Sequence, residues 1–413
     1  MLDIKYLREN PQLIQKAASN KGATIDIEKI LKADKDFRQL QLEVQKIREE
    51  RNKAAKERDY EKGKQLKEKL ETEELKLNNF EKELKHLLLN IPNPAKPDVK
   101  IGKDETENEI IRKYKEPTKF TFTPKDHLEL GESLDIIDVK SAAKVSGTRF
   151  AYLKNDAVLL EFALVQLALE TLIKEDATPI IPPVLIKEEI TQGLGYWQGV
   201  ESEDYYRINE KDESQGYYLV GTAEHAIVPI HMNETLNIKD FPRRYVGFST
   251  AFRREAGTYG KDTKGILRVH QFDKIEMVSL VEKDDDDREH EFLLSIEEKL
   301  FQALDIPYQV VKMCTGDLGF PAARKYDIEA WLPGQQKYRE VTSVSTVTDF
   351  QSRRLNIKYR KGDNTEFASI LNGTVFAIGR TIIAILENYQ QEDGSIKVPK
   401  ILQKYLGKEV ISA

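Results

Sequence analysis

The chain has 413 residues, of which 32 % are charged, and a formal net charge of −6. That length allows about two or three domains, and the acidic balance excludes a uniformly basic nucleic-acid-coating protein. A single cysteine, Cys314, excludes an internal disulfide and a CxxC metal site.

A reducing, cytoplasmic setting fits that cysteine count. The N-terminus MLDIKYLREN carries no signal-peptide apolar core, and the most apolar stretch, Ala157 to Ile173, is interrupted by Glu161, Gln166 and Glu170. It is also too short to span a bilayer. A soluble protein with no membrane contact is expected.

The charge is uneven. Residues 1–90 hold 21 Lys and Arg against 18 Asp and Glu, and Arg51 to Lys69 holds 8 against 4. A short opening helix is predicted from Ile4 to about Ala18. Heptads follow, with Ile30, Phe37 and Val44 at one position and Ala33, Leu40, Ile47 and Ala54 at the other. A second run has Leu70, Leu77, Leu84 and Ile91 at one position and Leu66, Phe80 and Leu87 at the other. Between the runs the seam fails, because Arg51 takes a core slot and RDYEKGK carries the breaker Gly63. These features predict an antiparallel two-helix hairpin with its tip near Asp59 to Lys62, about 30 residues per helix and ~45 Å long. The three prolines of IPNPAKP close it. The expected division is an arm at 1–97, a charged linker at 98–115 and a second domain at 116–413. Such an arm is a dimerisation or spacer element or an RNA reader; its basic tip can attract phosphate backbone or be a solvated face.

In the second domain, Ala157 to Lys174 has the spacing of a largely buried helix. The strand-like TPIIPPVLI follows, and Pro182 and Pro183 argue for an edge or an interface. The glycines and Trp197 of TQGLGYWQGVES fit a mobile lid or an ordinary surface loop. In YYLVGTAEHAIVPI a strand ends at Gly221, and Thr222 either caps the next helix or hydrogen-bonds a ligand. His225 and His231 have no third ligand at metal spacing.

Phe252 to Glu276, FRREAGTYGKDTKGILRVHQFDKIE, has a glycine-bearing centre at Gly257, Gly260 and Gly265. It predicts a long β-hairpin whose return arm runs from Ile266 to Val278. Alternation puts Arg268, His270, Phe272, Lys274 and Glu276 on one face, and Arg253 and Glu255 share a face of the outgoing arm. Arginines clamp phosphate, a carboxylate accepts from a base amino group, and a phenyl ring stacks on the base. A solvated salt-bridge ladder is the alternative.

KYDIEAWLP and KYREVTSVS alternate as two antiparallel strands joined at PGQQ. Glu340 and Ser343 in EVTS offer oxygen ligands to a hard cation, or are simply polar strand surface. LNGTVFAIGRTIIAILENYQ reads as strand, turn and helix, with Ile382, Ile383, Leu386 and Tyr389 as a core stripe. Arg380 near that helix N-terminus opposes the dipole, which a bound anion would explain.

FRREAG, KDTKG and RVHQFDKIE resemble motif 2 of class II aminoacyl-tRNA synthetases, in the form carried by bacterial-type seryl-tRNA synthetases. The helix–strand–proline unit is similar to motif 1, LNGTVFAIGR to motif 3, and DGSIKVPKILQKYLG to the family's ending. The resemblance therefore covers nearly the whole chain. It implies an α+β protein, an N-terminal antiparallel two-helix coiled-coil arm on a class II catalytic domain of antiparallel sheet flanked by helices, assembled as a homodimer. The implied activity joins L-serine to tRNA(Ser) through seryl-adenylate, with tRNA(Sec) as a second candidate acceptor.

The implied roles follow the motifs. Arg253 holds the ATP α-phosphate, Glu255 reads adenine, Phe272 stacks on it and Arg268 contacts the phosphates, with Arg254 and Val269 beside them. Glu340, Val341, Thr342 and Ser343 face ATP, Glu340 and Ser343 through Mg²⁺, and Arg380 binds the γ-phosphate. The serine pocket is Thr222, Ala223, Glu224, Arg253, Glu276, Asn372 and Thr374, with Glu276 taking the ammonium. Charge stabilisation by Arg253, Arg268, Arg380 and Mg²⁺ is the expected catalysis, and no side-chain base is nominated. Arg51, Lys53, Lys56, Arg58, Lys62 and Lys64 are the expected tRNA phosphate contacts.

The sequence departs from its relatives in places. TQGLGYWQGVES replaces a GTGQLP-like stretch, Thr374 replaces the serine of NGS, and Ala251, Val344 and Val347 stand where many relatives have cysteines. A binding paralogue would show degraded ATP or serine positions, a carrier-protein ligase would lack the arm, and a coiled-coil protein would lack the body. None of these signs is present in the sequence.

Overall fold

The computed structural model describes residues 1–196, 204–208, 216–256 and 264–413. They form two compact units, Met1–Pro94 and Ala95–Ala413.

In the first unit, two short helices, Ile4–Glu9 and Pro11–Asn20, precede a long antiparallel pair, α1 (Ile27–Lys56) and α2 (Tyr60–Leu89). The single opening helix expected from Ile4 is broken at Asn10, because Pro11 has no N–H for a continuing helix and is suited to start a new one. The arm turns at Glu57–Asp59, with Arg58 at φ +57°, earlier than the expected tip. Asp59 caps α2 by accepting from Lys62 N at 3.0 Å, worth about 1 kcal/mol. That cap sets the turn, and Gly63 sits inside α2, since an exposed helical glycine costs only about 1 kcal/mol. Val44, Ile47 and Leu70 form one buried cluster of the seam, and Ile27, Ile30, Leu84, Leu88 and Ile91 another. Asp34 is buried beside the second, neutralised by Arg38 at 3.0 Å and Arg8 at 3.5 Å.

The second unit is built on an eight-stranded sheet. Its strands are β1 (Glu109–Tyr114), β2 (Thr178–Ile180), β3 (Arg243–Phe252), β4 (Gln271–Val281), β5 (Tyr308–Lys312), β6 (Arg324–Leu332), β7 (Lys337–Thr348) and β8 (Ser369–Ala377). The spatial order is β1-β5-β6-β7-β8-β4-β3-β2. Every neighbouring pair is antiparallel except β2 on β3. The stretch 98–115, expected as a linker, contains β1, which pairs Glu109 with Lys312 and Tyr114 with Tyr308. β2, followed by Pro182 and Pro183, lies at the opposite edge.

Three helices, α3 (Asp156–Ile173), α4 (Asp286–Ala303) and α5 (Ile378–Tyr389), share a core with the sheet that includes Leu160, Met277, Leu300, Leu371 and Ile382. Val278, Leu280 and Ile370 point the other way, into a second cluster with Leu194 and Ile227. Alternation then sends Glu276, Asn372 and Thr374 to that second face, where they are polar in an otherwise apolar row. The register pins them together, with Glu276 opposite Thr374 and Val278 opposite Asn372. Among the described residues, no helix is long and apolar enough to cross a membrane.

Candidate active site

β3 and β4 pair from Phe252–Gln271 to Arg243–Leu280. The return strand starts at Gln271, so residues 266–270 do not continue the alternation expected from Ile266. One further backbone bond, Arg253 N to His270 O at 3.0 Å, holds the two arms together above the ladder. Arg268 is placed by an ion pair instead, its Nη1 lying 3.1 Å from Glu255 Oε2. Glu255 adopts φ +52°, a left-handed conformation costing on the order of 1–3 kcal/mol in a non-glycine residue. Gly265 has φ +71°, and a Cβ there would lie 2.0 Å from His127 Nε2, so only glycine fits. Gly257 and Gly260 lie outside the described residues, as does Trp197.

Two adjoining cavities occupy the polar face of the sheet. The smaller, about 70 Å³, is lined by Arg253, Glu255, Arg268, Val269, Phe272, Glu340, Val341, Thr342, Ser343 and Arg380. Arg254 is not part of its wall; its backbone N–H donates to Asp204 O at 2.7 Å. The larger, about 470 Å³, is lined by Thr222, Glu224, Arg253, Glu276, Asn372 and Thr374 among others. Ala223 is fully buried in the apolar cluster behind it rather than in the wall. Arg253, Lys274, Glu340, Ser343 and Thr374 line both cavities, which are therefore two ends of one cleft.

Local irregularity aims these groups. Residues three apart on a regular strand face opposite ways, yet Glu340 and Ser343 both line the cleft. The register of β7 on β6 slips between Thr342 and Glu340, leaving Val341 as a bulge that turns both toward the same side. Arg253 donates through Nε to Gly221 O at 3.2 Å, and its guanidinium carbon lies 5.5 Å from the centre of the Phe272 ring. Thr222 serves two roles, accepting from Glu224 N at 3.3 Å while lining the larger cavity.

The electrostatics differ along the cleft. Burial pushes Glu340 up, but Arg380, Lys325 and Arg253 outweigh it and hold the carboxyl at about 2. Burial, reinforced by Glu276, pushes Glu224 up to about 7, although Gln351 and Tyr196 oppose the shift. Tyr196 OH donates to Glu224 at 2.9 Å, and Gln351 Nε2 donates to the same oxygen at 3.1 Å. Burial lowers Lys274, against the pull of Glu276, 2.6 Å away. The side-chain nitrogen of Asn372 is buried and has no protein partner among the described residues, so it can donate to a ligand in the larger cavity.

The sequence pointed to most of this wall but not all of it. Lys274 stood on the hairpin face without an assigned role. Tyr196 and Gln351 carried no local pattern, since their partner Glu224 is distant in the chain. The basic residues of the arm belong to the other unit: Lys53, Lys56, Arg58, Lys62 and Lys64 are exposed, and Arg51 is half-buried. Arg51, Arg58 and Lys64 line a hollow of about 520 Å³ at the tip.

A mostly antiparallel sheet carrying arginines from a β-hairpin and from a strand–helix junction around one cleft defines a class II aminoacyl-tRNA synthetase core. The family described as the class II tRNA synthetase core domain (G, H, P, S and T) matches residues 206–389, and the seryl-tRNA synthetase N-terminal domain matches residues 1–95. The chain is 44 % identical to the serine–tRNA ligase of Dictyoglomus turgidum over 98 % of each chain. It superposes on the seryl-tRNA synthetase of Pyrococcus horikoshii, solved with ATP, with a TM-score of 0.91 and 40 % identity over 100 % of this chain and 99 % of that one. For the cytoplasmic serine–tRNA ligase of Naegleria fowleri, solved with AMP, the values are 0.88 and 31 % over the same shares. The chain belongs to the seryl-tRNA synthetases, the serine–tRNA ligases of class II.

Proposed function

We propose that the cleft activates L-serine with ATP and that the seryl group passes to the 3′ end of tRNA(Ser). The observation that carries this reading is the shared wall of Arg253, Lys274, Glu340, Ser343 and Thr374, which joins the cavity lined by Thr222, Glu224 and Glu276 to the one lined by Arg268, Phe272 and Arg380. ATP takes the end lined by Phe272, Glu255, Arg268 and Arg380. Serine takes the end lined by Thr222, Glu224, Glu276, Asn372 and Thr374, with Ala223 shaping it from behind.

A serine carboxylate oxygen attacks the α-phosphorus, the bond to the bridging oxygen breaks, and pyrophosphate leaves with the electron pair. The acyl carbon of the adenylate is then attacked by a terminal tRNA hydroxyl, and AMP leaves. Arg253, Arg268 and Arg380 stabilise charge as it develops, and binding both substrates in one cleft removes the entropic barrier to their encounter. Glu340 and Ser343 fit Mg²⁺ held jointly with ATP phosphates: the carboxylate stays ionised, and two-fifths of its side chain is open to the cleft. The ion would neutralise phosphate charge.

Residues 1–97 act as the tRNA-binding arm, with the six basic residues near its tip on the phosphate backbone, and residues 116–413 as the catalytic domain. The protein works in the cytoplasm as a homodimer. Leu159, Phe162 and Ile173 on α3, and Ile181 beyond β2, are exposed apolar side chains suited to the subunit interface. Charging of tRNA(Ser) and tRNA(Sec) transcripts with labelled serine tests the reading. Acceptance by tRNA(Ser) supports it, acceptance by both extends it to tRNA(Sec), and acceptance by neither contradicts it.

A further inference from the structure

Lys274 lies two residues before Glu276 on β4 and is only 7 % exposed. Its Nζ is 2.6 Å from Glu276 Oε2 and donates to Thr374 Oγ1 at 3.2 Å. The Thr374 hydroxyl donates to the same Glu276 oxygen at 3.3 Å. Because Glu276 and Thr374 are cross-strand partners, these three contacts close a triangle across the β4–β8 pairing.

The triangle is directional. An ammonium has donors only, so Thr374 Oγ1 must accept from Lys274 and its one proton must go to Glu276. Both contacts fall on Oε2 of Glu276, which leaves Oε1 to meet a ligand. Thr374 keeps one acceptor lone pair. Lys274 therefore removes the freedom of a hydroxyl rotor and of a carboxylate that together form one side of the larger cavity. An amino acid bearing an ammonium and a hydroxyl matches that fixed set, whereas one without the hydroxyl leaves the Thr374 lone pair unmet.

The geometry points to Lys274 as a positioning residue for amino-acid selection, holding Thr374 and Glu276 in the one hydrogen-bonding arrangement that recognises a hydroxyl-bearing substrate. This rests on the serine-activating reading above. Thr374 and Glu276 touch the substrate, and Lys274 sets their direction.

The test is Lys274→Met in the full-length protein, which keeps an unbranched stem and removes the donors. In ATP–pyrophosphate exchange the KM for serine should rise about 100-fold, and the serine-to-alanine ratio of kcat/KM should fall by at least about tenfold, because alanine never used the hydroxyl contact. The KM for ATP should stay within about threefold of the parent. Lys274→Gln retains an amide donor without the charge and should recover part of the ratio. A serine KM within about threefold of the parent, or equal losses for serine and alanine, would overturn the proposal and leave Lys274 as packing. If thermal melting shows that Lys274→Met does not fold, Lys274→Gln decides: a lowered serine-to-alanine ratio at an unchanged KM for ATP supports the proposal and an unchanged ratio overturns it. A parent protein that exchanges no serine would instead sink the underlying reading, a different result from either.

Discussion

Arg380 and Glu340 are joined twice: Nη1 of Arg380 donates to Glu340 Oε2 at 2.9 Å and to the Glu340 carbonyl at 3.0 Å. Arg380 stands in the first turn of α5, where a cation is disfavoured by the helix dipole. The anion that answers it is supplied from within the protein, by a carboxylate on the bulged strand β7. The pair thus ties a helix start to an irregular point of the neighbouring strand, and it orients both groups toward the cleft.

That tie makes Arg380 more than a charge. Arg380→Ala, and separately Arg253→Ala, should each lower the rate of serine-dependent ATP–pyrophosphate exchange by about 10²- to 10³-fold, the scale for losing a preorganised charge-stabilising group. Thermal melting should change little in Arg253→Ala, whose guanidinium is held by a backbone carbonyl and a ring face. Exchange near the parent rate in either variant would remove that arginine from the site.

Glu224 gives a prediction in pH. Its folded pKa is raised to about 7 by burial and Glu276, whereas the unfolded chain has an ordinary glutamate near 4.5. Between those values the folded state holds a proton that the unfolded state has lost, so this group's contribution to stability falls as pH rises from about 4.5 to 7 and is flat beyond. Glu224→Gln removes the dependence. Urea unfolding of the two proteins should therefore show the variant gaining on the parent by on the order of 3 kcal/mol between pH 4.5 and 8. A pH-independent difference would mean that Glu224 is ionised throughout.

The arm can be tested without touching the cleft. Replacing Lys53, Lys56, Lys62 and Lys64 with Gln should leave serine-dependent exchange unchanged and raise the KM for tRNA. The salt dependence of that KM should flatten by about one unit of log–log slope for each phosphate that is no longer neutralised. An unchanged tRNA KM and slope would assign the basic tip to solvent alone.

Phe162 is 57 % exposed on α3, on the same helix as the exposed Leu159 and Ile173. If the proposed homodimer buries this face, Phe162→Glu should yield a monomer in sedimentation equilibrium, since a charge placed in an apolar interface is left unpaired. A variant that still sediments as a dimer would move the interface elsewhere.

Much of this was legible from residue spacing, and the exceptions have physical reasons. Heptads located α1 and α2 because burial of Ile30, Val44, Ile47, Leu70 and Leu84 depends on period alone. The turn between them was misplaced because Gly63 marks a weak point without forcing a break, while the Asp59 cap, a local side-chain bond, decides where α2 begins. In the hairpin, alternation gave the shared face of Phe272, Lys274 and Glu276, but it could not tell that pairing starts at Gln271 or that Arg268 is held by Glu255. Glu340 and Ser343 would fall on opposite faces by alternation, and only the bulge at Val341 reconciles them. Lys274, Tyr196 and Gln351 went unassigned because their importance lies in partners, Thr374 and Glu224, that only the folded chain brings near.

The most direct test is ATP–pyrophosphate exchange with each of the twenty amino acids, in the absence of tRNA. The cleft predicts exchange with serine and background rates with amino acids that lack a hydroxyl, alanine included. Exchange with a different amino acid, or with none in folded protein, would contradict serine activation.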